Sequence, residues 1–181
     1  MKFYFLSLCI MLAVSFAAKA QSKLIFKDKF MYTDVQVFNE TKRHSIPSLI
    51  DTGCSLCIID SIFAIDSCGI KEDELQTIHV NQTKDKISSA FIDSIFFCGK
   101  TYHKVYCLVA DLTGHYQKYA PKFIVGANIL SSGAWKFDME KNIVEPYDSN
   151  NKAKGTIYKW KNHEDYPDAV SYTHLRAHET L

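Results

Sequence analysis

The sequence predicts an all-β protein, a small closed β-barrel or a β-sandwich, with one short helix, and three observations predict it. Between Leu24 and Tyr147 the apolar residues come in short runs set against polar ones, as in half-buried strands, and not at helical spacing. Polar tips at Asn81 to Lys86 and a lone glycine at Gly99 punctuate those runs where hairpins must turn. Strands this short and this closely spaced fit a barrel or sandwich better than alternating βαβ units.

In chain order, "YTDVQVF" sets Val35 and Val37 against polar neighbours, and "NETKRHSI" supplies the turn or loop that follows. "IPSLID" is an apolar strand that ends on Asp51, and "CSLCIID" reads as another strand. "SIFAIDSCGI" is either a short helix or a turn into a loop. From Glu74 to Leu112 several short strands alternate with polar tips. "PKFIVGANIL" gives a strand from Phe123 to Val125, a glycine, and a short helix holding Ile129 and Leu130. "AWKFDMEKNIVEP" closes the domain with two strands around a turn at Met139 to Asn142, with Phe137 and Val144 facing the core. Pro146 and the polar run from Asp148 to Asn151 mark its end.

The chain has 181 residues, a formal charge of +1, 47% hydrophobic and 23% charged residues, an ordinary balance for one globular domain of moderate size. Lys84, Lys86, Lys100 and Lys104 are interleaved with acids and hydroxyls, so no basic stripe tracks a phosphate backbone and no nucleic-acid partner is expected. Residues 1–20 combine Lys2, an apolar run from Phe3 to Ala17, and small residues at Ala18 and Ala20. That is the pattern of a secretory signal peptide cut before Gln21, so the expected location is periplasmic or extracellular. No other run is long enough to span a bilayer, and no stable membrane span is expected. The expected organisation is a signal peptide over 1–20, one folded domain over 21–150, an extension over 151–168 and a tail over 169–181. That tail, "AVSYTHLRAHETL", resembles translated sequencing-library sequence found on unrelated gene predictions, so His174 and His178 are not read as a metal pair.

An aspartate at the end of an apolar strand is costly unless it is paired, hydrogen-bonded or protonated. Gly53 lets the chain turn and exposes backbone N–H groups that can bond the Asp51 carboxylate, and the Thr52 hydroxyl can lock the loop. "IDTGCS" resembles the catalytic Asp-Thr-Gly loop of aspartic peptidases. "FIVGANIL" is similar to the apolar-apolar-Gly segment and short helix that pack behind that loop in retropepsin-like peptidases. The resemblance covers approximately Lys23 to Tyr147. It implies a retropepsin-like barrel and an aspartic endopeptidase with Asp51 catalytic. It further implies that Thr52, Gly53 and Ser55 support the catalytic loop and that Val125, Gly126 and Asn128 pack behind it. Cys54 stands where the family often has alanine.

Only one such triplet is present; "ADLTG" at Ala110 to Gly114 is interrupted by Leu112, and Asp111 reads as a strand-end or turn acid. The family's chemistry needs two facing aspartates, so the resemblance implies a homodimer with Asp51 and its own copy on the two-fold axis. Such a dyad works with no metal or other cofactor. The candidate lid, or flap, is the hairpin from Val80 to Ser89, with Asn81, Gln82, Thr83 and Lys84 at its tip. It lacks the glycine-rich tip of viral members, and an ordinary surface hairpin is an equal reading. The implied substrate is a peptide or protein segment bound as an added strand.

Five cysteines follow the signal peptide: Cys54, Cys57, Cys68, Cys98 and Cys107. "CSLC" has zinc-knuckle spacing but no second Cys or Cys/His pair, so these read as core thiols. Cys98 and Cys107 flank "GKTYHKVY" and are candidates for a disulfide in an oxidising compartment. His44, His79, His103 and His115 are scattered, and neither a His-Glu-x-x-His pair nor a Gly-x-Ser-x-Gly elbow occurs. The rival to an enzyme is a non-catalytic peptide-binding β-barrel on the same scaffold.

Overall fold

Why short alternating strands close into a barrel here is visible in the computed structural model, which describes residues 20–71, 75–79, 86–113, 122–147, 160–163 and 166–169. The expected signal peptide, apart from Ala20, and the tail beyond Ala169 lie outside the described residues. The strands are β1 (Ser22–Lys23), β2 (Ile25–Lys27), β3 (Phe30–Asn39), β4 (Lys42–Ile50), β5 (Cys57–Asp60), β6 (Gln76–His79), β7 (Lys86–Phe97), β8 (Lys100–Ala110), β9 (Phe123–Val125), β10 (Trp135–Asp138) and β11 (Ile143–Pro146). A short helix, α1 (Ala127–Leu130), follows β9. In the extension, β12 (Trp160–His163) and β13 (Tyr166–Ala169) form a separate antiparallel hairpin.

The main sheet runs β2-β3-β4-β9-β5-β8-β7-β6, and β3 pairs a second time with β7. That pairing closes β3, β4, β9, β5, β8 and β7 into a six-stranded barrel. Strand side chains alternate between faces, so every second residue points inward. On β3 these are Val35 and Val37, on β4 Ile46 and Ile50, on β7 Ala90 and Ile92, and on β9 Phe123 and Val125, all in one core cluster. Each such Val, Ile or Phe side chain stabilises the fold by about 1.5–3 kcal/mol when buried. A second apolar cluster of Tyr32, Leu49, Leu112 and Ile124 takes the opposite face of β3, β4 and β9. A small sheet of β1, β11 and β10 adjoins the barrel; Val144 enters the core and Phe137 packs partly against it.

The structure refines the sequence reading in three places. The turn after β3 is confined to Glu40 and Thr41, between the paired Asn39 and Lys42, so most of "NETKRHSI" is strand. The polar residues are each accommodated: the Arg43 guanidinium lies 4.9 Å over the Phe38 ring, the His44 ring packs on Phe63 and bonds the Ser67 carbonyl (3.0 Å), and the buried Asn39 amide donates to the Cys68 carbonyl (3.2 Å). "SIFAIDSCGI" forms a π-helical turn over Phe63–Ser67, so two short helical segments stand where one was expected. The buried Asp60 carboxylate fixes its start, accepting the Phe63 N–H through Oδ1 (2.9 Å) and the Leu112 N–H through Oδ2 (3.1 Å). The Cys98–Cys107 disulfide is contradicted. Cys98 sits in the tight turn joining β7 to β8, whereas Cys107 lies opposite Ala90 further along the ladder, and all five described cysteines are free.

Candidate active site

Asp51 follows the last residue of β4, where β4 and β9 run parallel with Leu49 beside Ile124 and Ile50 beside Val125. Its own N–H donates to the Val125 carbonyl (3.1 Å), so backbone pairing extends through the aspartate before the chain leaves the sheet. The chain then folds back on the carboxylate. Gly53 N–H donates to Asp51 Oδ1 (2.8 Å), and Cys54 N–H reaches the Asp51 carbonyl (3.4 Å). The half-buried acid is thus solvated by the turn it begins, which offsets the cost of ending an apolar strand on a charge.

The segment behind the loop holds it from the other side. Ala127 N–H donates to the Cys54 carbonyl (2.7 Å) and Asn128 N–H to the Ser55 carbonyl (3.0 Å). The Asn128 side chain then joins two strands: its Oδ1 accepts the Cys57 N–H (2.9 Å) and its amide nitrogen donates to the Tyr106 carbonyl (2.9 Å). Gly126 sits where the two segments touch. A Cβ there would come within 2.3 Å of the Leu56 carbonyl oxygen and 2.7 Å of the Cys57 nitrogen, closer than any side chain allows. Gly126 N–H points at the Cys57 sulfur (3.4 Å), and Val125 is fully buried in the core beneath.

Thr52 and Ser55 are half-buried and Gly53 is exposed, so the turn itself lies at the surface. Ser55 meets the cradle through its carbonyl. The Cys54 thiol is pushed up to about 11, first by burial, then by the neighbouring Asp51 charge and its hydrogen bond to Asp51. It is therefore a neutral thiol at physiological pH and no thiolate nucleophile. Cys107 is likewise raised, by its hydrogen bond to Cys57 and by burial. Asp111 forms a turn of its own at the end of β8, and the Thr113 hydroxyl and N–H hold its carboxyl below the usual range. Its carboxyl bonds to its own turn, and the preceding Ala110 pairs with Asp60 in the ladder. Among the described residues, no group of three or more His, Cys, Asp and Glu side chains could hold a metal ion.

Val80, Asn81, Gln82, Thr83 and Lys84, the candidate flap tip, lie outside the described residues. The strands on either side do pair, from Gln76 opposite Ser89 to His79 opposite Lys86. The base of this hairpin is tied to β8 by Tyr106, whose hydroxyl donates to Ser89 Oγ (2.7 Å), while Ser89 Oγ donates to the Gln76 carbonyl (3.1 Å). Sequence reasoning missed the Tyr106 carbonyl and the Cys57 sulfur as parts of the cradle. The first is a backbone atom and carries no residue signal; the second was legible only as a core thiol.

No family model and no curated protein matches the sequence. Solved structures do. A retropepsin-like aspartic protease from Rickettsia conorii superposes with a TM-score of 0.50 at 18% identity, over 68% of this chain and 86% of that one. The retroviral protease-like domain of Ddi1 from Leishmania major is a weaker likeness, with a TM-score of 0.44 and 14% identity over 69% of this chain and 99% of that one. The fold assignment rests on the first of these and on the closed barrel: this chain has the retropepsin-like fold.

Proposed function

We propose that the protein is an exported aspartic endopeptidase, active as a homodimer in which Asp51 and the same residue of a second copy form the catalytic dyad. The observation that carries this reading is the Asp51 loop. In a retropepsin-like barrel, a strand-end Asp-Thr-Gly turn is held at the surface by its own Gly53 N–H and braced from behind by Gly126 and Asn128. Two carboxyls brought together cannot both ionise and share one proton. The ionised member takes a proton from water, and the water oxygen attacks the scissile carbonyl, which the protonated member polarises. The resulting diol collapses as a proton passes to the leaving nitrogen. The C–N bond breaks, and acid and amine are released. The Thr52 hydroxyls would lock the two loops together, Ser55 would support the carboxyl network, and the Val80–Ser89 hairpin would cover an extended peptide.

The test is cleavage of a quenched-fluorescent peptide library by the purified protein. Cleavage should be fastest at mildly acidic pH, blocked by a statine-type inhibitor, indifferent to chelators, and reduced at least ~10³-fold in Asp51→Asn, since the dyad acts as a unit. Undiminished cleavage by that variant would assign the chemistry to other residues. Peptide binding without cleavage in the wild type would favour the non-catalytic module.

A further inference from the structure

Behind the candidate catalytic loop the fold brings two thiols face to face. β5 and β8 run parallel, with Cys57 directly beside Cys107. Register partners on neighbouring strands put their side chains on the same face of the sheet. Both residues are 0% exposed and belong to one core cluster, and a hydrogen bond joins their side chains. The Cys57 sulfur also accepts the Gly126 N–H (3.4 Å), and Asn128 Oδ1 holds the Cys57 N–H (2.9 Å). The pair therefore stands where the Asp51 cradle joins the barrel wall. Cys98 turns its thiol to the Val144 carbonyl (3.6 Å) and Cys54 to Asp51. Among the described residues that leaves Cys68 as the rival partner, near enough to act on Cys107 through its charge but not in register with it.

We infer that Cys57 and Cys107 form a modification site, joined as a disulfide when the chain folds in an oxidising compartment. The inference takes its setting from the export reading above and owes nothing to the dyad. Neighbouring strands lie about 4.7–4.9 Å apart, inside the roughly 4.4–6.8 Å that separates the Cα atoms of a disulfide. The ladder thus already sets the two backbones at bonding distance. Thiol–disulfide exchange supplies the chemistry, with a disulfide of the oxidised glutathione type as oxidant. One cysteine, as thiolate, attacks a sulfur of the oxidant and releases its first thiol; the other cysteine then attacks the mixed disulfide and releases the second. Two electrons and two protons leave the pair, and the oxidant ends as two thiols. Burial sets the timing. Both sulfurs are covered in the closed barrel, and Cys107 is held there as a neutral thiol, so exchange belongs to folding, before β5 and β8 are enclosed.

The test is a thiol map of the full chain refolded from denaturant with oxidised glutathione. Free thiols are alkylated in denaturant and the digest is read by mass spectrometry. A peptide pair linked through Cys57 and Cys107 is expected, two hydrogens lighter than its reduced parts, with Cys54, Cys68 and Cys98 alkylated. Oxidised glutathione added instead to the folded, reduced protein should form the link at least tenfold more slowly. Alkylation of both Cys57 and Cys107 after oxidative refolding overturns the inference, as does a link from either one to Cys68 or Cys98. Equal rates from the folded and the unfolded chain overturn formation during folding. If the chain does not refold, the same map of protein recovered from the periplasm of an expressing bacterium decides by the same outcomes. The map makes no use of cleavage: an inactive protein with the link keeps the bond and loses the peptidase, and an active one with both thiols alkylated does the reverse.

Discussion

Gly126 owes its identity to a contact and not to a torsion, since the atoms that exclude a Cβ are the Leu56 carbonyl and the Cys57 nitrogen of the chain leaving the Asp51 loop. Both are backbone atoms and cannot rotate away. Gly126→Ala should therefore cost about 1–3 kcal/mol or more and displace the loop, lowering both the melting temperature and any cleavage rate. Asn128 gives the complementary case. Asn128→Ala strands the Cys57 N–H and the Tyr106 carbonyl at about 1–3 kcal/mol for each buried group. Asn128→Asp keeps the acceptor for Cys57 but sets a carboxylate against the Tyr106 carbonyl, so it should not rescue. Thermal melts of the three variants beside wild type check this; an Asn128→Asp protein as stable as wild type would refute the two-strand bridge. At this scale the sequence was informative for Asp51, Gly53 and Gly126, whose types carry their reasons. It was silent on backbone partners such as the Tyr106 carbonyl, because a carbonyl looks the same at every residue.

At the scale of elements, the strands were legible because burial on one face imposes a period of two, clearest at Val35 and Val37. What misled was polarity: Lys42, Arg43 and His44 read as loop, yet they pair with Asn39, Phe38 and Val37, since exposed strand positions are free to be charged and the half-buried His44 finds a partner in the Ser67 carbonyl. The same blindness to spatial neighbours allowed a disulfide between cysteines that share a hairpin but not a level. The β10–β11 hairpin yields a pH prediction. The Lys141 N–H holds the half-buried Asp138 carboxyl below its usual range, aided by the Lys141 and Lys136 charges. A depressed carboxyl contributes stability that is present above the unfolded value and is lost as pH falls through the folded one. Asp138→Asn should therefore melt below wild type at neutral pH, and the two curves should converge under strong acid. The mildly acidic range that favours a shared proton lies above that loss. Parallel melting curves of unchanged separation down to strong acid would show that Asp138 contributes nothing through its charge.

At the scale of the whole molecule, barrel closure depends on the second pairing of β3 with β7, Val37 opposite Ile95, a long-range contact that no local pattern announces. The sequence supplied the strands and the motif; the closure emerges only in three dimensions. The proposed chemistry turns on the proposed dimer. The most direct measurement is the cleavage rate of a tandem chain in which two copies are joined by a flexible linker and one copy carries Asp51→Asn. The account predicts cleavage by the tandem with two aspartates and a loss of at least ~10³-fold in the mixed one, because a single carboxyl cannot be base and acid together. Retention of about half the rate in the mixed tandem would mean that each Asp51 works alone, and would contradict the shared-proton dyad.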